Sequence, residues 1–270
     1  MLDCAADNRQ RKRCSGHIEI TELSKAFNGD PVYRDFNLSL PVGEFVSVFG
    51  PNGCGKSTLI NMISGLLPMD TGSVLYDGKS IEETNISYVF QNYRDALFPW
   101  IRAIDNILYP LKIRNVPKRE QKNRLDSILS EFDIKIDILK YPYQLSGGQQ
   151  QTISILRSII TDPEVLFLDE PFSALDYEMT LLMRERIQRI FLNRDISMIL
   201  VSHDLEEAVQ LASQVLLLTR RPTRVAETIP VDIPWPRNAA TLSDPDFVAI
   251  RSRCLDVFSR EVARGERGSI

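Results

Sequence analysis

The sequence predicts an α/β protein with a mixed sheet whose core is parallel, flanked by helices and interrupted by a helical insert. Three observations carry that expectation. Short apolar runs, VLFLD at 165–169 and SMILV at 197–201, are separated by one long stretch of helical spacing. The run FVSVF at 45–49 ends on a glycine-rich loop followed by the helical pattern TLINMISGLL. Both VLFLD and SMILV run directly into polar residues, Glu170 after Asp169 and His203 after Ser202, as strands do at the ligand-facing edge of such a sheet.

The elements follow in order. HIEITELSKAF at 17–27 and the run from Asn37 to Gly50 alternate apolar and polar residues and are broken by turn chemistry at NGDP and PVGE, which predicts strands. SGLLPMDTGSVLYDG at 64–78 reads as a turn-rich strand pair, and ISYVFQ at 86–91 as a further strand. Residues up to 91 are therefore expected to form a mixed sheet around the loop. From Trp100 to Ile138 apolar residues recur at three and four spacing with charges between them, a helical insert spanning about 95–160. Strand spacing resumes after Asp162: VLFLD, a helix over 179–194, SMILV, a helix over 206–212 and the strand QVLLLT at 214–219. Residues 220–240 are rich in Pro and Arg and lead to one more helical pattern at 244–263. The expected organisation is a tail at 1–16, a main domain at 17–220 and an extension at 221–270 too short for a second domain.

Composition narrows the function classes. At 270 residues and 43% hydrophobic content the chain can bury a full core. A net charge of −4 gives no general drive toward nucleic acid or anionic lipid, and nucleic acid is not an expected partner. The longest apolar runs fall far short of the roughly 18 residues of a membrane span, so any membrane role is expected to be peripheral. RQRKR at 9–13 lacks a following apolar region and does not read as a secretory signal. Cys4, Cys14, Cys54 and Cys254 show no paired spacing, which argues against zinc and against a disulfide scaffold and favours a reducing, cytoplasmic compartment.

The chemistry is concentrated in three segments. GPNGCGKST, residues 50–58, matches a phosphate-binding loop: Gly50, Gly53 and Gly55 let backbone N–H groups turn around an oxyanion, Lys56 neutralises phosphate charge and Ser57 offers a hydroxyl to Mg²⁺. A plain glycine-rich turn is the alternative, and the strand before it and helix after it argue against that. Cys54 lies inside the loop, where oxidation would block binding; a small residue tolerated in a loop is the plainer reading. VLFLDEP at 165–171 delivers Asp169, suited to holding Mg²⁺ directly or through water, and Glu170, suited to polarising an attacking water. His203 follows another buried strand and can donate to developing phosphate charge; a lone structural histidine is the alternative.

With LSGGQ at 145–149 added to these segments, the chain resembles the nucleotide-binding subunit of an ATP-binding cassette (ABC) transporter. The resemblance covers residues 17 to about 220 and implies an α/β P-loop NTPase fold of the ABC type, a mixed sheet core with a helical subdomain and a small antiparallel subdomain, that binds ATP and Mg²⁺ and hydrolyses ATP. It carries the whole loop (Gly50, Pro51, Asn52, Gly53, Cys54, Gly55, Lys56, Ser57 and Thr58) as nucleotide contacts, with Phe27 as the aromatic that stacks on adenine. Gln91 matches the glutamine that touches Mg²⁺ and the attacking water, and so joins Glu170 and His203 as a third expected catalytic residue. Ser146, Gly147, Gly148 and Gln149 match the clamp on ATP held by the opposite subunit, and Asp176 closes the SALD loop at 173–176 that crosses the dimer. One departure is Thr152, where the family usually carries Arg, which puts the salt links of that helix in doubt.

The same resemblance implies partners: a second ATPase subunit, transmembrane permease subunits, and an extracytoplasmic solute-binding protein, with this chain peripheral on the cytoplasmic face of the cell membrane. The segment between Gln91 and the insert, with Phe98 and Trp100 among Arg94, Arg102 and Asp105, suits a partner helix. LFPWIRAIDNILYPL and the Pro/Arg-rich tail resemble importers of nitrate, sulfonate and taurine. An exporter ATPase is the close alternative. A chromosome-organising relative would need a long coiled coil, and a ribosome-associated one two motif sets in one chain.

Overall fold

The computed structural model describes residues 16–132, 134–173 and 175–267. The RQRKR run, Cys4 and Cys14 lie outside the described residues. A six-stranded sheet has the order β5-β6-β7-β3-β8-β9, formed by β3 (Phe45–Phe49), β5 (Ile86–Val89), β6 (Val165–Asp169), β7 (Ser197–Val201), β8 (Gln214–Leu218) and β9 (Val225–Pro230). The first five of these positions pair in parallel and β9 joins β8 antiparallel. β3, β6 and β7 are buried along their whole length, which is why they read as unbroken apolar runs rather than alternating ones.

A second, three-stranded sheet has the order β2-β1-β4, antiparallel throughout, from β1 (His17–Phe27), β2 (Asp30–Pro41) and β4 (Thr71–Tyr76). Its inner face alternates, but the phase changes within β1: Ile18 and Ile20 are buried, and then Leu23. A bulge accounts for the slip, with Glu22 at φ 50° and its N–H donating to the Asn37 side chain at 3.0 Å. The 64–78 segment supplies one strand, not a pair. The turn after β4 closes on a single bridge between Tyr76 and Lys79, too short to pair as a strand. The mixed sheet expected up to residue 91 is thus two sheets, because β3 and β5 are apolar enough to enter the parallel core while β1, β2 and β4 each keep one polar face.

Helices cover the parallel sheet: α1 (Lys56–Ile63) under the antiparallel layer, then a helical region of α2 (Tyr93–Ala96), α3 (Ala103–Ile113), α4 (Lys118–Glu131) and α5 (Gly147–Ile159), and further on α6 (Tyr177–Asn193), α7 (Leu205–Leu211) and α8 (Pro245–Arg267). α5 and α6 begin on caps the sequence supplies, Ser146 accepting from Gln149 N–H and Asp176 accepting from Met179 N–H. Apolar side chains of the helical region, including Ile107, Ile153 and Leu156, merge with those of β6 and α6 into one core. No described helix is long and apolar enough to cross a membrane.

The C-terminal residues are tied in more closely than the sequence pattern suggests. β9 continues the main sheet past residue 220, and α8 buries Phe247, Cys254 and Val257 against α7, β8 and β9. Between them, Arg237 is 2% exposed. Its guanidinium donates to the carbonyls of Val209, Ala212, Val231 and Ile233 and lies 4.4 Å from the Trp235 ring. Buried backbone carbonyls leave this arginine fully hydrogen-bonded, which explains how a charge-rich segment packs inside.

Candidate active site

The parallel register decides which residues meet. Val48 pairs with Val201, Asp169 pairs with Val201, and Val89 pairs with Leu168. The residues just beyond β3, β5, β6 and β7 therefore emerge on one edge of the sheet: the loop from Gly50, then Gln91, Glu170 and His203. That edge is where an open α/β sheet binds ligands.

The loop at 50–55 turns from β3 into α1. Gly55 sits at φ 115°, and a Cβ there would lie 2.6 Å from the Val32 side chain, so both backbone conformation and space require glycine. Gly53, also left-handed, and Asn52 form the exposed tip, while Pro51 and Cys54 are buried. Gly50 has a different reason for being glycine: a Cβ would approach the Leu218 carbonyl to 3.0 Å. Lys56 is buried at the start of α1, its ammonium donating to the carbonyls of Gly50 at 2.9 Å and Pro51 at 3.2 Å. A buried cation held by neutral carbonyls at a helix N-terminus fits an anionic phosphate. Thr58 is half-buried on the first turn. Burial raises the Cys54 thiol pKa, so the thiolate that oxidation requires is disfavoured and the expected redox liability is reduced.

Asp169 is 7% exposed and receives the Ser57 hydroxyl at 3.1 Å on one oxygen. The Tyr88 hydroxyl lies 3.0 Å from its other oxygen and 2.8 Å from the Asn61 side-chain oxygen. Burial pushes the Asp169 carboxyl above the ordinary carboxylate range, and the hydrogen bonds from Tyr88 and Ser57 oppose the shift. A buried carboxylate beside a serine hydroxyl is a hard oxygen donor set that fits Mg²⁺. Among the described residues no group of three or more His, Cys, Asp or Glu could hold a metal on its own.

Glu170 takes the left-handed conformation at φ 44°, its N–H donating to the Val201 carbonyl at 2.9 Å. The turn aims its carboxylate at two neighbours: the Gln91 amide donates to Oε2 at 2.9 Å, and His203 Nδ1 lies 3.1 Å from the same oxygen. Left-handed backbone at a non-glycine residue is held only where the surroundings dictate it, and here β6 and β7 do so.

Phe27 ends β1 at the margin of the antiparallel sheet, 42% exposed, with the Lys25 ammonium 5.6 Å from its ring centroid. Ser146, Gly147, Gly148 and Gln149 are placed elsewhere, at the start of α5. Ser146 Oγ accepts from Gln149 N–H at 3.4 Å and Gln149 Oε1 accepts from Ser146 N–H at 3.0 Å. Side chains at either glycine would collide, with the Tyr93 hydroxyl at Gly147 and the Met179 side chain at Gly148. Thr152 donates to the Gly148 carbonyl at 2.8 Å and accepts from Arg186 of α6 at 3.4 Å, so a guanidinium reaches this helix from α6 although position 152 carries none.

The sequence pattern did not single out Tyr88, Asn61, Tyr33, Thr223 or Arg184. Each acts across the fold from an element that reads as ordinary strand, hairpin or helix, and nothing local distinguishes it. A groove of about 620 Å³ beside the site is lined by Leu66, Tyr88, Phe90, Gln91, Ala96 and Asp169.

Comparison with known proteins places this arrangement. The sequence profile described as ABC transporter matches residues 33–173. The chain is 38% identical to an aliphatic sulfonates import ATP-binding protein of Bacillus subtilis, over 90% of this chain and 94% of the relative. It is 35% identical to a taurine import ATP-binding protein of Escherichia coli O157:H7, over 91% and 99%. Among solved structures, a dimeric bacterial ABC transporter cassette superposes with a TM-score of 0.70 at 25% identity, covering 80% of this chain and 100% of that one.

Proposed function

The chain belongs to the ABC transporter family as an ATP-binding subunit, and from that premise we propose that it hydrolyses ATP, with Mg²⁺, to drive import of a small anion of the sulfonate, taurine or nitrate kind. The observation that carries the reading is the convergence of Lys56, Ser57, Asp169, Glu170, Gln91 and His203 on one sheet edge.

Each residue has a role its surroundings support. Loop N–H groups and Lys56 bind the β and γ phosphates, with Thr58 on the helix that follows. Ser57, Gln91 and Asp169 would hold Mg²⁺, which would supply screening of the phosphate charge. Glu170 accepts a hydrogen bond from the attacking water and draws off its proton; Gln91 fixes that carboxylate, and His203 donates to the γ-phosphate as charge develops. Phe27 offers its exposed face to adenine.

The signature residues make their described hydrogen bonds within α5, and its capped N-terminus is exposed. This supports a site completed by Ser146 to Gln149 of a second ATPase subunit, with Asp176 on the crossing loop. ATP then joins two subunits, and hydrolysis releases them. The relatives named for import support coupling to a transmembrane permease and to an extracytoplasmic solute-binding protein, with this chain peripheral on the cytoplasmic face. The groove by Gln91 and the exposed Trp100 ring supply a surface for a permease helix. The proposed domain limits are 17–220, with its insert at about 95–160, and an extension at 221–270 that adds β9 to the core sheet.

Capture of the tagged chain from detergent-solubilised native membranes tests the reading. Co-recovery of a multi-span permease and an anion-binding solute protein is the expected result; a permease that exports, or recovery of ribosomes or DNA factors alone, would overturn it.

A further inference from the structure

Loop N–H groups can point inward at phosphate only if the loop carbonyls point outward and find donors there. Two of those carbonyls, of Cys54 and Gly55, meet hydroxyls from outside the loop, while those of Gly50 and Pro51 accept from Lys56, the cation assigned above to the phosphates. The Gly55 carbonyl receives the Tyr33 hydroxyl at 3.0 Å besides its helical bond from Leu59, and the Cys54 carbonyl receives the Thr223 hydroxyl. Tyr33 and Thr223 are each 1% exposed.

The two hydroxyls come from distant parts of the chain. Tyr33 lies on β2, and Thr223 on the turn between β8 and β9. That turn is itself pinned: Thr223 N–H donates to the Val32 carbonyl at 2.8 Å, and Arg224 N–H donates to the Thr219 hydroxyl at 2.9 Å. Val32 in turn packs where a Gly55 side chain would be. The turn leads into β9, whose Glu227 pairs with Arg253 of α8 at 2.5 Å.

We propose that Thr223 and Tyr33 are positioning residues for ATP binding, a pair of buried hydroxyls that holds consecutive carbonyls of the phosphate loop outward and makes the C-terminal hairpin part of the nucleotide site. The proposal rests on the nucleotide-binding reading above and deepens it. Neither residue touches the phosphates; both act through the peptide groups of Cys54 and Gly55. The C-terminal segment therefore has a role at the site through Thr223.

Equilibrium binding of MgATP to the full chain, with thermal midpoints alongside, tests this. Thr223→Val removes the donor at constant volume and should weaken ATP binding about tenfold. Thr223→Ser restores the donor and should bind within about twofold of the unsubstituted chain, a rescue that loss of packing would not give. Tyr33→Phe carries the same test if Thr223→Val does not fold, with weakened binding by a folded protein expected. Unchanged affinity in folded Thr223→Val or Tyr33→Phe, or a Ser variant as weak as the Val variant, would overturn the brace. Failure of the unsubstituted chain to bind MgATP would overturn the nucleotide reading itself, and the brace with it.

Discussion

Glu170 and His203 meet across the ends of β6 and β7, Oε2 to Nδ1 at 3.1 Å, and the Gln91 amide occupies the same oxygen at 2.9 Å. Three elements far apart in sequence thus share one carboxylate oxygen. Glu170→Gln keeps the size of the side chain and removes its capacity to take a proton. Hydrolysis should fall by at least about a hundredfold while MgATP affinity stays within a few-fold. Since ATP would then persist, sizing chromatography with ATP should show more dimer than the unsubstituted chain gives. A variant that hydrolyses normally, or one that stays monomeric with ATP, would remove Glu170 from this role.

Asp169 offers a prediction about stability. Its carboxyl is raised above the ordinary carboxylate range, chiefly by burial. A folded-state pKa above the unfolded one means that the folded chain holds the proton more tightly. The contribution of this group is fully present below the unfolded value and is lost as pH rises through the raised folded one. At neutral pH the ionised side chain therefore costs stability in the absence of a cation. Asp169→Asn should raise the thermal midpoint in Mg²⁺-free neutral buffer by about 1–4 °C and abolish Mg²⁺-dependent hydrolysis. The gap between the two proteins should shrink as pH is lowered into the carboxylate range. A lower midpoint for the variant at neutral pH would contradict this account.

Much of this geometry was readable in the chain because its causes are local. GPNGCGKST, VLFLDEP and MILVSHD each put chemistry at the end of a buried strand, and the parallel register of β3, β6 and β7 then aligns those ends. The resemblance implied a small antiparallel subdomain, but which strands form it was not readable, since alternation in β1 and β2 does not say which sheet a strand joins. Tyr88, Thr223 and Arg237 were also silent. Each satisfies a polar group that tertiary packing brings to it, and its own neighbours in sequence carry no trace of that partner. The same holds for β9, whose membership of the core sheet depends on pairing with β8 and not on its own modest apolar content.

Trp100 separates fold from assembly. It is 73% exposed, its ring tilted 39° against that of Phe98 with centroids 5.5 Å apart. Phe98 is itself held by Tyr109 at 4.6 Å, so the platform survives if the indole is removed. Trp100→Ala should change folding stability by less than about 0.5 kcal/mol and leave ATP affinity unaltered. Recovery of the permease in co-purification should drop at least several-fold, as for an aromatic anchor in an interface. Undiminished recovery would assign docking to another face.

Arg184 ties the helix after the crossing loop to the helix after His203. It lies on α6 with its side chain 4% exposed, and reaches Glu207 at 3.1 Å, Asp204 at 3.4 Å, Glu206 at 3.3 Å and the Gln210 side chain at 3.0 Å. Glu207 also receives the Ser202 hydroxyl at 2.6 Å, and Asp204 caps α7. Burial raises the Glu207 carboxyl, against the pull of Ser202 and Arg184. Without the guanidinium that carboxylate is left buried and unpaired, so Arg184→Met should lose roughly 3–5 kcal/mol in urea denaturation near pH 8. The direction of the Glu207 shift sets the pH dependence. Removing the cation raises the folded-state pKa further, so Glu207 can protonate at lower pH and relieve the penalty; the deficit should shrink toward pH 5. Because Ser202 and Asp204 flank His203, the surviving folded protein should also lose more hydrolysis than ATP affinity. A denaturation midpoint equal to that of the unsubstituted chain at pH 8 would mean that the buried cluster contributes nothing net, and that His203 is held by its strand alone.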